Sequence, residues 1–121
     1  MSDQLSLRLR ADLPNLPAGL RPMLARRVDA PFDGRDDLFE PAWGGRRAIA
    51  LVGPAAAAGQ GNVTFLGEDG APLGAPLPEM AGLALRLDAR SAVLDGELVV
   101  VDQAGRADTE ELGRRLAGQS G

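Results

Sequence analysis

Lysine, histidine, cysteine and tyrosine are all absent from this chain of 121 residues, and its thirteen basic side chains are all arginine. Each absence closes off a class of chemistry. Without imidazole there is no histidine general base and no Ser–His or Cys–His nucleophile pair. Without lysine there is no Schiff-base or lysyl-adduct route. Without cysteine there is neither a disulfide framework nor a thiolate metal site. Carboxylate, hydroxyl and guanidinium groups remain, and aliphatic hydroxyls occur only at Ser2, Ser6, Thr64, Ser91, Thr109 and Ser120, none of them in a nucleophile elbow. Long apolar runs are missing too: the longest, around residues 94–101, is interrupted by Asp95 and Glu97. The opening MSDQLSLRLR has no stretch that reads as a signal peptide. A cytoplasmic location is the default expectation.

What is present describes one folded domain. Hydrophobic residues make up 45% of the chain and charged residues 25%, a globular rather than a disordered profile. A net charge of −4 argues against a dedicated nucleic-acid binder, which needs a basic surface to neutralise phosphates. The charge is unevenly spread. Residues 1–27 carry Arg8, Arg10, Arg21, Arg26 and Arg27 against Asp3 and Asp12, whereas 28–45 carry Asp29, Asp33, Asp36, Asp37 and Glu40 against Arg35. Solvated surface is the plainest account of both stretches.

Residues 1–22, broken by Pro14, Pro17, Gly19 and Pro22, read as an extended N-terminal arm with a short strand at Leu5–Leu9. Met23–Val28 is compatible with one helical turn, and residues 33–37 with a polar turn. Strands are expected at Leu38–Glu40 and at Arg47–Val52, the latter apolar on both faces and so interior to a sheet. Residues 53–61 read as a loop, Asn62–Leu66 as a strand and Glu68–Gly70 as its turn. Met80, Leu83, Ala84 and Leu87 lie on one face of a helix predicted from Glu79 to Asp88. Ser91–Asp102 carries the strongest strand pattern, with a bend expected at Gly96. After a turn at residues 103–105, Asp108 and Glu111 have the spacing of a capping box for a short helix bearing Leu112 and Leu116. The fold class is α+β, a mainly antiparallel sheet with one or two short helices.

Three stretches in this order resemble the adenylation domain of ATP-dependent DNA ligases, the bacterial repair ligases above all. Pro22-Met23-Leu24-Ala25 is similar to that domain's opening segment. Glu40-Pro41-Ala42-Trp43-Gly44-Gly45-Arg46-Arg47-Ala48 resembles the family's first motif, Glu-x-Lys-Trp-Asp-Gly-x-Arg-Ala. Leu94-Asp95-Gly96-Glu97 matches its third, Leu-Asp-Gly-Glu. Between them, Gly67-Glu68-Asp69-Gly70 and Pro78-Glu79-Met80 stand where the family has Ser-Arg-Asn-Gly and Phe-Pro-Glu-Leu. The likeness spans roughly residues 22–116. It implies the N-terminal half of the nucleotidyltransferase fold that DNA ligases share with mRNA capping enzymes, with residues 23–121 as a partial adenylation domain behind the 1–22 arm.

The resemblance also implies what has been lost. The family's first-motif lysine attacks the α-phosphate of ATP and carries AMP to a nicked DNA end. That position is Ala42 here, which leaves no catalytic nucleophile. The family's aspartate is Gly44, and the arginine preceding its Asn-Gly turn is Glu68, an inversion of charge. The later motifs and the oligonucleotide-binding domain do not follow within these residues. Glu40, Trp43, Arg47 and Glu97 remain as a residual nucleotide site, Arg47 matching a nucleotide-contacting arginine and Glu97 the third-motif glutamate. Each has a structural reading as well: Trp43 as a core anchor, Arg47 as an ion-paired strand residue, Asp95 and Glu97 as solvated carboxylates. Gly59-Gln60-Gly61-Asn62 lacks the lysine of a P-loop, and the acidic residues 29–37 lack calcium-loop spacing, so no metal or cofactor is expected.

A degenerate, noncatalytic homologue of the ligase adenylation domain is the expected function, as a vestigial or interaction module linked to DNA repair. A subunit of a split ligase-like enzyme completed by a partner chain, and a small assembly protein, are the alternatives. Any ATP and magnesium binding is expected to be weak, since exchanging lysine for alanine removes a charge-assisted phosphate contact of about 1.5–3 kcal/mol. Self-association or a protein partner is expected to cover the open sheet, with neither nucleic acid nor membrane as partner.

Overall fold

The doubly apolar run 47–52 becomes the centre of a sheet because both of its faces need cover. A computed structural model of the protein describes residues 15–17, 19–55, 61–74 and 77–118. In it, β1 (Arg46–Ala55) lies between β2 (Gly61–Leu66) and β3 (Ala92–Leu98), and both pairings are antiparallel. Two short 3₁₀ helices, Pro78–Met80 and Leu83–Arg86, separate β2 from β3, and α1 (Thr109–Leu116) follows the sheet. This is a small α+β protein with an open three-stranded sheet.

The register sorts side chains onto two faces. Ala50 stands between Phe65 and Leu94, and Val52 between Val63 and Ala92. Successive residues on a strand point to opposite sides, so these six share a face. Leu83, Ala84 and Leu87 pack onto that face and complete the core, in which Val52 is only 1% exposed. The opposite face carries Arg47 across from Glu97, and Ile49 between Leu66 and Asp95. One side of the sheet is therefore core, and the other begins apolar and ends charged.

Several expectations need correcting. Leu38–Glu40 forms no strand, because no neighbour offers it a ladder; Leu38 is fully exposed, at 101% of its reference area. Met23–Val28 forms no helical turn and its side chains are exposed. The helix predicted over Glu79–Asp88 is two 3₁₀ helices parted at Ala81–Gly82, where glycine weakens helix continuation. Of the apolar face read for it, Leu83, Ala84 and Leu87 pack onto the sheet, while Met80 stands outside that cluster. Residues 53–55 belong to β1 rather than to a loop, with the register shifting between Val52 and Ala55. That irregularity accommodates Pro54, which has no N–H for the ladder. β3 stops at Leu98 and stays in register through Gly96, so neither the longer strand nor the bend is present.

Other expectations hold. The turns at 68–70 and 103–105 are present, and Asp108 caps α1 by accepting the Glu111 N–H at 2.9 Å. The capping box is half formed, because the Asp108 N–H donates to the Val100 carbonyl while the Glu111 carboxylate pairs with Arg114. The strand read at Leu5–Leu9 and most of the 1–22 arm lie outside the described residues. The arm's end is anchored: Pro22 is buried, and Leu20 and Arg21 lie against Gly70 in the turn after β2. Among the described residues no helix is long and apolar enough to cross a membrane.

Truncating Val52 to alanine is expected to cost about 1.5–3 kcal/mol by urea unfolding, since the core cannot collapse around the lost methyls without moving β1. Leu85→Ala, at an exposed position, is expected to change stability by less than about 0.5 kcal/mol in the same assay.

Candidate functional site

The charged end of the sheet's second face is built where β1 begins. Antiparallel pairing sets Arg47 directly opposite Glu97, yet its guanidinium reaches to the diagonal neighbour Asp95. Nε donates to Oδ1 at 2.9 Å and an Nη to Oδ2 at 2.8 Å, a two-pronged arrangement matched to a carboxylate. Glu97 turns elsewhere, and its Oε1 accepts the Gly45 N–H at 2.6 Å. The two carboxylates of the Asp-Gly-Glu stretch thus hold the Gly-Gly-Arg-Arg stretch from both ends.

Glycine is required at 44 and 45 for different reasons. Gly44 has φ +70°, a left-handed conformation that most side chains avoid, and Thr109 of α1 crowds the space beside it. Gly45 is a close approach. A Cβ there would lie 2.7 Å from a Val99 methyl and 2.8 Å from the Glu97 side chain, with the Leu98 carbonyl oxygen nearer still. The backbone at Gly45 can meet the end of β3 only without a side chain.

Over this face lies an open pocket of about 950 Å³. Glu40, Trp43, Arg47 and Glu97, the four residues read as a residual nucleotide site, all line it. So do Glu68 and Asp95, one from the turn after β2 and one from β3. Three stretches, whose outermost named residues are 57 apart in sequence, thus meet in one place. Trp43 is 51% exposed there, which corrects its reading as a core anchor. Ala42 is exposed and lies between two lining residues without itself lining the pocket.

The electrostatics run against an anionic ligand. Four carboxylates line the pocket, and Arg47, its one basic side chain among the described residues, is already bound to Asp95. The hydrogen bonds that Arg47 donates to Asp95 raise its pKa further, and the charges of Glu40 and Glu97 add to the same effect. In return, the Arg47 hydrogen bond holds the Asp95 carboxyl below the usual carboxylate range. A triphosphate entering this space meets unneutralised negative charge. Among the described residues no group of three or more carboxylates is arranged to hold a metal ion.

The sequence reading missed the turn that follows β3 as a wall of the site. Val101 and Gly105 line the pocket, and the turn is pinned because Asp102 accepts the N–H groups of Ala104 and Arg106 and pairs with the Arg106 guanidinium. The Asp-Gln-Ala-Gly pattern signals a turn, but nothing in it reports which face of the sheet the turn folds across.

Two measurements follow. Gly45→Ala is expected to lose about 1–3 kcal/mol in urea unfolding, because the added methyl meets backbone rather than a flexible chain end. The lowered Asp95 pKa favours the fold only when that carboxylate is ionised. Its contribution is complete above the ordinary carboxylate value of about 3.9 and is lost as pH falls through the lowered folded value. The stability of Asp95→Asn is accordingly expected to decline less steeply than that of the unaltered chain below about pH 4. Parallel acid limbs in thermal unfolding would remove this role.

No family model, curated protein or solved structure matches this chain, so the chemistry of its site rests on its own geometry.

Proposed function

We propose that this protein is a noncatalytic relative of the adenylation domain of ATP-dependent DNA ligases, a module that keeps the nucleotidyltransferase-like frame without its group-transfer chemistry. One observation carries the reading: the Trp-Gly-Gly-Arg-Arg stretch, which leads into β1, and the Asp-Gly-Glu stretch of β3, distant in sequence, are brought together by the pairing of those strands and border one pocket. Adjacency of those stretches is what the resemblance requires.

The loss of chemistry follows from side chains. A lysyl–AMP adduct needs an amine, and residues 1–121 contain no lysine. The arginine expected to meet the nucleotide is held by Asp95, and Glu68 lines the pocket where the family pattern has a cation. Binding a nucleotide therefore means breaking an existing ion pair and facing an acidic wall. On this reading the chain serves repair as an interaction module, not as an enzyme.

Incubation with labelled ATP and magnesium tests the proposal. No covalent nucleotide is expected on the protein, and calorimetry is expected to give heats no larger than dilution at millimolar ATP, a free energy weaker than about −4 kcal/mol. Glu68→Arg is expected to tighten ATP binding about tenfold by restoring a cation at the pocket wall. A covalent adduct on the unaltered chain would end the noncatalytic reading, and no response to Glu68→Arg would detach that wall from the phosphates.

A further inference from the structure

Seven of the eleven large apolar side chains that lie exposed among the described residues fall between Met23 and Trp43. The stretch contains no helix or strand, and two of its three aromatic side chains, Phe32 and Phe39, pack on each other with centroids 5.7 Å apart yet remain more than half exposed. So much uncovered apolar surface in one continuous segment marks an association surface. Scattered single residues would carry no such meaning.

Charge identifies the partner. At the first end Arg21, Arg26 and Arg27 flank Met23 and Leu24. At the second, Asp33, Asp36, Asp37 and Glu40 outnumber Arg35 around Phe32 and Phe39. None of these eight charged groups is ion-paired with a described residue. A segment basic at one end and acidic at the other complements itself when two copies lie antiparallel. A purely basic partner would meet like charge at the arginine end, and a purely acidic one at the aspartate end.

We propose that residues 21–43 form the interface of a twofold dimer, the arginine end of each copy seated on the aspartate end of the other. Twofold symmetry makes both contacts equivalent and closes the assembly at two chains. The apolar side chains between the charged groups supply the buried area, and the charges set the register. Self-association of this kind does not run through the open edge of β3. The surface shares Leu24, Glu40 and Trp43 with the pocket of the nucleotide reading, but association is measured whether or not a nucleotide binds there.

Light scattering on the full chain, with charge reversal, decides the matter. The unaltered protein is expected at twice 12.6 kDa, dissociating more readily at high salt. Arg26→Glu with Arg27→Glu, and separately Asp36→Arg with Asp37→Arg, are each expected to dimerise at least about a hundredfold more weakly, since like charges then face each other at both contacts. Mixing the two variants re-establishes opposite charges at both contacts, so an equimolar mixture is expected to recover a dimer within about tenfold of the original affinity. Trp43 emission in the unaltered chain, shifting to the red on dilution, reports the same surface without any substitution, and circular dichroism verifies that each variant is folded. A 12.6 kDa species at every concentration overturns the proposal. So does a dimer indifferent to both reversals, a mixture that stays monomeric, or a dimer whose Trp43 emission ignores dissociation.

Discussion

The antiparallel register of β1 between β2 and β3 is the constraint on which everything else in this protein depends. Ala50 and Val52 must face the 3₁₀ helices to be buried, which sends Arg47, Ile49 and Leu51 to the other side. Because side chains alternate, a slip of one residue would turn Arg47 toward the core face and Val52 away from it. Burial on one face thus holds the charged site in position on the other. The site is a by-product of where the apolar side chains can go.

Within that frame, two carboxylates two residues apart on β3 do different work. Asp95 neutralises Arg47, while Glu97 accepts a backbone N–H from Gly45 and ties the entry of β1 to the end of β3. Both bonds lie on exposed surface, where hydrogen bonds and ion pairs contribute little to stability and much to geometry. Their joint effect is a pocket whose one basic group among the described residues is already spoken for. The proposed kinship with nucleotide-transferring enzymes then becomes a statement about a retained frame, because the charge balance opposes the ligand those enzymes bind.

How much could be read from residues alone varied with how local the cause was. The central strand was legible because Ala48–Val52 is apolar at consecutive positions, which only a covered strand or a buried helix tolerates. The cap at Asp108 and the turns at Gly70 and Gly105 were legible because their bonds span a few residues. The helix expected over Glu79–Asp88 is not one continuous element. Its apolar spacing is real, but Gly82 lets the chain tighten into two 3₁₀ helices, the second of which packs onto the sheet. Leu38–Glu40 failed as a strand because strand formation depends on an available partner edge, which composition does not reveal.

The site divides along the same line. Which side chains could do chemistry, and the missing amine, were settled by composition before any folding, since no conformation can supply an absent functional group. The tertiary structure decided that Glu40, Trp43, Glu68, Asp95 and Glu97 share one pocket, that Asp95 rather than Glu97 claims Arg47, and that Trp43 stays out of the core. Those outcomes depend on pairing between strands some fifty residues apart, selected by apolar burial on the far face of the sheet.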